Sequence, residues 1–363
     1  MSNPFLFVSE YDQTEYLTPR VSLNRAVMAK SPVSGVEEGL DGKRFKELFS
    51  PEAIVAEMRR VSRYYGVDFS HLPDFALPKE LDKALRSEDV RYRQLAERVV
   101  QRFGNRLGLL LLTLRTGLPE NRAARSDWDD ACWEHWKNTE SVILLGGLAS
   151  SRLGRRFKEQ VQKVFDRAGV KPYNIMLFEN GAYLGVMGLG QRMMEDGTSS
   201  LVLDMGQTFF KRAVLKKTGG VISGINTFDS LPSRYMQIRF DDDGEKLAYA
   251  YDLNNYIVNI IASTFKEASE TTPLSDRILI SIANYTHSGI LNPIRGGYAK
   301  LTALGENYAA VLEDLLSGEL RRSIEIKLVH DATATALYFS DIPRSVCVTL
   351  GTGFGVGFPE IRL

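Results

Sequence analysis

Four turns in this chain deliver acidic, hydroxyl or glycine residues from the end of an apolar run. They are Leu203-Asp204-Met205-Gly206-Gln207-Thr208, Val329-His330-Asp331-Ala332-Thr333-Ala334, Leu350-Gly351-Thr352-Gly353-Phe354-Gly355 and Val142-Ile143-Leu144-Leu145-Gly146-Gly147. A carboxylate at the end of a strand can hold a divalent cation, directly or through water. Glycine in such a turn exposes successive backbone N–H groups to an anion. Asp204 is therefore a candidate Mg²⁺ ligand, and Gly206, Gln207 and Thr208 are candidates for the phosphate contacts of the same turn.

The other three turns divide between ordinary and chemical readings. An Asp that opens a helix, as Asp331 does before Ala332-Thr333-Ala334, is most often a cap. The alternative is a general base that takes a proton from an attacking hydroxyl during phosphoryl transfer. His330 is either a packed core histidine or a substrate contact. Gly351, Thr352 and Gly353 lead into Val356-Gly357-Phe358, which reads as strand. The turn is then a hairpin clasp for phosphate, or a plain hairpin, rather than the helix-opening glycine fingerprint of dinucleotide folds. Gly146-Gly147 can pass beneath a nucleotide, where a side chain would collide with base or ribose, although a lone Gly-Gly is common. Trp128, Trp133 and Trp136 read as helix packing.

These turns need elements to hold them. Ser50-Pro51 places a capping residue before a proline at the first helical position. Val55, Met58, Val61 and Tyr65 then follow at helical spacing. A second, buried helix is expected over residues 87–115, and a strand over 141–145. A helix with a basic face and an apolar face follows Gly147. Strand 174–178 and a small-residue helix at 181–194 end the first half. Glu195-Asp196-Gly197-Thr198-Ser199 is polar and turn-forming, and sets an expected boundary between lobes 1–197 and 198–363. Beyond it come strands at 200–206, 209–217 and 220–226, a helix at 246–268 and a strand at 277–284. A helix at 303–316 and strands at 324–329, 345–350 and 356–358 complete an α/β layering.

Composition narrows the classes. The length of 363 residues fits two lobes, and the apolar and charged fractions, 44% and 25%, are those of a globular protein. Lys+Arg and Asp+Glu are equal at 45 each, which gives no bulk charge for nucleic acid or membrane binding. Two cysteines, Cys132 and Cys347, with four histidines do not make a structural zinc site, and two buried thiols are expected. The N-terminus lacks the pattern of a signal peptide. The apolar run 107–112 is far shorter than the ~20 residues that span a bilayer. A cytoplasmic protein is expected. Oligomeric state is open, a homodimer included.

Taken together, the four turns resemble the sugar-kinase, heat-shock-protein and actin ATPase superfamily, and within it the ROK family of sugar kinases and repressors. Asp204-Met205-Gly206-Gln207-Thr208 resembles its first phosphate motif, and Gly351-Thr352-Gly353-Phe354-Gly355 its second. Asp331-Ala332-Thr333-Ala334 resembles its catalytic-Asp motif, and Leu145-Gly146-Gly147-Leu148 its adenosine motif. The resemblance implies a two-lobed actin-like ATPase (ribonuclease H-like) α/β fold. It also implies ATP and Mg²⁺ as cofactors and transfer to a hydroxyl of a hexose or amino-hexose, with Asp331 as base and Asp204 on the metal. The motif order differs from the family's, as a circular permutation would make it. Gln207 stands where the family has a second glycine, His330 where it has a sugar-contacting Asn, and no Glu-x-Gly-His sugar motif is present. A non-catalytic sensor and an ATPase coupled to a protein partner are the alternatives on the same fold.

Overall fold

The computed structural model describes residues 3–9, 13–178, 181–233, 239–294, 296–351 and 353–362. Thr352 lies outside the described residues. The principal elements of the first half are helices α1 (Pro51–Tyr65), α2 (Leu77–Ala84) and α3 (Val90–Thr116), strand β1 (Ser141–Leu145), helix α4 (Ser151–Ala168) and strand β2 (Asn174–Leu177). Helix α5 (Leu184–Met193) and strands β3 (Ser199–Met205), β4 (Phe209–Thr218) and β5 (Val221–Pro232) follow. Then come α6 (Asp243–Ser269), β6 (Arg277–Ile282), α7 (Tyr308–Leu320), β7 (Glu325–His330), α8 (Asp331–Leu337), β8 (Ser345–Leu350) and β9 (Phe354–Gly357). The chain is thus mixed α/β. Among the described residues no helix is long and apolar enough to cross a membrane.

Two compact units form. One comprises Met1–Phe5, Arg20–Gly181 and Arg344–Val356, the other Leu6–Pro19, Ala182–Pro343 and Gly357–Leu363. The division therefore falls before α5 rather than at 197/198. A Cβ at Gly188 of α5 would collide with the Ala334 carbonyl of α8, so α5 packs directly on the second unit's helix. The strand β8 returns to the first unit because it pairs in parallel with β1, from Ser345 with Ser141 to Thr349 with Leu145.

In the first unit a sheet in the order β9-β8-β1-β2 lies beside α1 to α4. Ser50 caps α1 by accepting the Ala53 N–H at 3.2 Å, and Asp89 caps α3 through the Arg91 N–H at 2.9 Å. Both helices end on glycine in the left-handed region, at Gly66 and Gly117. Cys132 and Cys347 are buried free thiols, and the three tryptophans are core residues.

The second unit holds a five-stranded sheet in the order β7-β6-β3-β4-β5. β3, β6 and β7 run parallel, while β4 and β5 are antiparallel additions on the other edge. Leu201, Leu203 and Met205 point to a core with Ile257, Ile261, Leu312 and Leu316 of α6 and α7. Val202 and Leu279 point the other way, to Val186, Leu189, Ala334 and Leu337 of α5 and α8. A parallel sheet covered on both faces explains why these strands read as apolar runs. The helix expected at 303–316 begins instead at Tyr308. Asn307 caps it through the Ala310 N–H, and the residues before it form a short 3₁₀ helix, Gly297–Ala303.

A charge network fastens the segment before α1 to α3. Glu37 accepts bonds from Arg102 and Arg106, at 2.9 and 2.7 Å, and Glu57 of α1 accepts from Arg60 and Arg102, at 2.8 Å each. Burial alone would raise the Glu57 carboxyl, but the two guanidinium groups outweigh it and hold the pKa at about 2. A depressed carboxylate stabilises the fold above its unfolded pKa, and that stability is lost as pH falls through the folded one. Glu57→Gln should cost about 1–3 kcal/mol at pH 7. In denaturant titrations the gap to wild type should narrow between pH 4.5 and 2, and a gap indifferent to pH would refute the assignment.

Candidate functional site

In the second unit the parallel strands end together, which is where ligands bind in open α/β sheets. Asp204 is the penultimate residue of β3, Ser281 lies beside it on β6, and His330 ends β7 with Asp331 opening α8. The hairpin register sets Lys211 of β4 directly opposite Asp204. Lys211 Nζ lies 2.8 Å from Asp204 Oδ2, and the buried Ser281 Oγ donates to Asp204 Oδ1 at 2.9 Å.

Both Asp204 oxygens are thus engaged, one of them by a cation. Among the described residues no group of three or more His, Cys, Asp or Glu side chains could hold a metal. With both oxygens engaged, the Mg²⁺ contact expected of Asp204, direct or through water, would run through water.

Asp331 is the second carboxylate. Burial, then the nearby Asp204 charge, push its pKa up to about 7, while the Ala332 N–H, which it accepts at 2.7 Å, and Lys211 pull the other way. Its side chain still exposes 39% of its surface. A carboxyl near neutrality with open surface can exchange a proton with a ligand at physiological pH. His330 Nε2 lies 3.3 Å from Asp331 Oδ1. The imidazole stacks on Tyr285, with 4.5 Å between centroids and 9° between planes, and is 11% exposed. Burial drives its pKa down to about 3, so the ring is neutral. Of the two readings of His330, a packed core histidine or a substrate contact, the stacking and burial match the first.

The Gly206–Thr208 turn is tightly tied. Gly206 N–H donates to the Phe209 carbonyl at 3.1 Å, and Gly206 O accepts from Tyr298 Oη at 2.8 Å. The Gly206 amide therefore closes the hairpin instead of pointing to an anion. Gln207 and Thr208 are exposed at its tip, and the Thr208 carbonyl accepts from the Ser233 N–H.

The first unit carries the other two turns. Gly146 has φ +91°, and a Cβ there would lie 2.5 Å from the Leu350 carbonyl oxygen, so the glycine is demanded by the close approach of β1 and β8. Gly147 and Gly351 face open space. Both line a cavity of about 800 Å³, floored by Leu148 and Leu350. Val55 and Arg59 of α1 and the exposed Phe75 and Pro78 form its opposite wall. That volume suits a ligand of nucleotide size. The start of α4 is not an anion site, because Asp82 already accepts the Leu153 N–H at 3.0 Å and the Ser151 hydroxyl at 3.1 Å. Gly351 N–H donates to the Gly353 carbonyl at 3.1 Å, which tightens the glycine turn on itself.

The sequence reading set Asp204, Asp331 and Gly351 in one lobe and Gly146 and Gly147 in the other, whereas Gly351 lies with Gly146 and Gly147 in the first unit. It missed Lys211, Ser281, Tyr298 and the cavity wall from α1 and α2. The seven-residue separation of Asp204 and Lys211 across an expected tight hairpin was a usable signal for the lysine.

No protein-family model matches the chain, and no curated protein matches it. Among solved structures it is similar to the ethanolamine utilization protein EutJ from Carboxydothermus hydrogenoformans, at 13% identity and TM-score 0.32, over 64% of this chain and 75% of that one. It is also similar to the Ppx/GppA phosphatase of Aquifex aeolicus, at 8% identity and TM-score 0.32, over 71% and 86%. An exopolyphosphatase-like protein matches at 10% identity and TM-score 0.28, over 72% and 86%. Likeness at these scores carries no argument about this chain.

A raised carboxyl pKa costs the fold stability. The penalty grows as pH rises from the unfolded value, 3.8, to about 7, and is constant above that. Asp331→Asn removes it. The variant should unfold at a higher temperature than wild type at pH 8, with the advantage shrinking toward pH 4. A thermal scan series showing a destabilised variant at pH 8 would refute the raised pKa.

Proposed function

We propose that the protein binds a nucleoside triphosphate, ATP in the first instance, and transfers its terminal phosphoryl group to a hydroxyl. The observation that carries this reading is Asp331, held near pH 7 beside the Asp204–Lys211 pair at the carboxyl edge of three parallel strands. The cavity bounded by Gly147 and Gly351 is suited to the nucleoside end. Asp331 would take the proton of the acceptor hydroxyl as its oxygen attacks phosphorus. Lys211 would offset charge on the transferring group, an electrostatic contribution that a low-dielectric site magnifies. His330, neutral and stacked, would hold the Asp331 carboxylate in place.

The acceptor we propose is a hexose or amino-hexose, on the resemblance of the four turns to those of ROK sugar kinases. On that reading the fold is the actin-like ATPase fold, and the motif order is that of a circularly permuted chain. The sheet of three antiparallel neighbours extended by two parallel strands supports a lobe of this kind. A second reading, nucleotide hydrolysis with water as the acceptor, is favoured by the stacking of His330 on Tyr285. It withdraws the one side chain that the resemblance assigned to a sugar.

ADP release from ATP, with Mg²⁺ present, should be measured across hexoses, N-acetylhexosamines and their epimers. One sugar should stimulate release, and Asp331→Asn should lower turnover by ~10²–10⁴ while nucleotide affinity changes little. Since the base acts deprotonated, kcat/KM should climb with pH and level off above about 7. Release that ignores every sugar selects hydrolysis. An Asp331→Asn enzyme as fast as wild type removes Asp331 from the mechanism.

A further inference from the structure

Tyr285 belongs to none of the four turns, yet its ring lies against the pair formed by His330 and Asp331. The imidazole and the phenol ring are 4.5 Å apart between centroids and 9° apart in plane. The buried Thr333 sets its Oγ1 3.4 Å from His330 Nδ1, and Asp331 Oδ1 is 3.3 Å from Nε2. A neutral imidazole has one donor and one acceptor nitrogen. An ionised carboxylate only accepts, so Nε2 bears the proton when Asp331 is charged. Nδ1 is then left to accept the Thr333 hydroxyl. Burial keeps the ring neutral, so one proton satisfies both contacts.

The segment that carries Tyr285 is fixed on both flanks. Before it, the buried Asn284 closes a short hairpin. Its Oδ1 accepts the Asn292 N–H at 3.0 Å, and its Nδ2 donates to the Asn292 carbonyl at 3.2 Å. The Tyr285 carbonyl also accepts the Asn292 N–H, at 2.8 Å. After it, Thr286 Oγ1 donates at 3.0 Å to the carbonyl of Leu328, which lies on the same strand as His330. Thr286 and His287 then pair antiparallel with Leu291 and Ile290. The ring is thus built into the carboxyl end of the sheet and tied to the strand that presents its partner.

On the Asp331 side, Oδ1 accepts the Ala332 N–H at 2.7 Å and is also the oxygen that faces Nε2. Both fixed contacts fall on one oxygen. We propose that Tyr285 is a positioning residue: by stacking on His330 it aims Nε2–H at Asp331 Oδ1, so that Oδ2 is the oxygen presented to an incoming hydroxyl. The inference rests on the phosphoryl-transfer reading given above, and it holds whether the hydroxyl is a sugar's or water's. As the acceptor oxygen bonds to the terminal phosphorus, its proton passes to Oδ2. The bond from phosphorus to the bridging oxygen breaks, and the nucleoside diphosphate leaves with that electron pair. His330 keeps its proton throughout and holds Oδ1 still. An imidazole without the stack has a broad, two-fold χ2, and would offer Oδ1 a donor in one orientation and a C–H in the other.

The test follows the imidazole nitrogens directly. Proton–nitrogen correlation spectra of the full chain labelled with ¹⁵N-histidine report which nitrogen of each ring carries the proton. His330→Gln identifies its signal among the four histidines. At about pH 8, above the Asp331 value of about 7, wild type and Tyr285→Phe should show one His330 tautomer, protonated on Nε2. Tyr285→Leu keeps bulk but loses the flat ring, and should show the averaged shifts of two tautomers. In the ADP-release assay Tyr285→Leu should lose about tenfold in kcat, the order of one ordering hydrogen bond, with KM for ATP within about twofold. Tyr285→Phe should turn over as wild type does. A single Nε2 tautomer in Tyr285→Leu overturns the positioning role, and so does wild-type kcat in a variant whose tautomers are mixed. Thr333→Val removes the Nδ1 partner and leaves the stack, so the Nε2 tautomer should persist there whether or not Tyr285→Leu folds. Mixed tautomers in Thr333→Val would assign the orientation to Thr333 and overturn the role of Tyr285. A wild type that releases no ADP with any acceptor overturns the phosphoryl-transfer reading, and the nitrogen spectra alone then decide whether Tyr285 aims the imidazole.

Discussion

A carboxylate on a strand covered by helices on both faces has to be paired, and the pairing of Asp204 constrains much of the second unit. Lys211 can reach it only because β3 and β4 hold one register, in which the two residues stand directly opposite. A slip of one residue would turn Lys211 to the other face and leave the Asp204 charge uncompensated. The Ser281 hydroxyl fills the second oxygen from the parallel neighbour, so the position of β6 is fixed by the same group. The charge that is held there then acts on Asp331. Register, sheet order and the protonation of the proposed base are linked through one ion pair.

Much of this was legible in the sequence where it depended on local chemistry. Ser50-Pro51 opens α1, and the apolar runs at 141–145, 199–205 and 345–350 are strands that end at the expected turns. What escaped depended on pairing between distant segments. Glycine pattern alone made Gly206 an anion donor, whereas the hairpin turns its N–H inward to Phe209. Residues 303–307 read as the start of a helix, but a 3₁₀ turn and an Asn307 cap postpone it, and propensity does not register such a delay. Asn24 Oδ1 accepts the Phe354 N–H across 330 positions, and no periodicity joins the two. The return of β8 to the first unit escaped for the same reason. β8 belongs with β1 through parallel ladder bonds that the order of residues does not display.

Adjacent glycines also separate fold from function. Gly146 is fixed by backbone contact with Leu350, which any side chain would break, so its presence is explained without a ligand. Gly147 and Gly351 meet nothing at the Cβ position and line the cavity. The motif read as one unit in the sequence is therefore two residues with different causes. His330 and Asp331 divide in the same way: the first is satisfied by Tyr285 and Thr333, while the second remains partly open and carries the perturbed proton.

The placement of Lys211 changes what the proposed chemistry demands. A triphosphate brought near Asp204 and Asp331 adds negative charge to two carboxylates that already repel each other. Like charge raises a carboxyl pKa, so an anionic ligand by itself would protonate Asp331 further and disarm it as a base. A cation has to intervene. Lys211 already lowers the Asp331 pKa across the space between them, and its side chain reaches from β4 to the carboxyl edge of β3. On the proposed reading it is poised to share its charge between Asp204 and a phosphate oxygen. The ion pair that secures the hairpin register would thus also keep Asp331 able to accept a proton once the ligand has arrived.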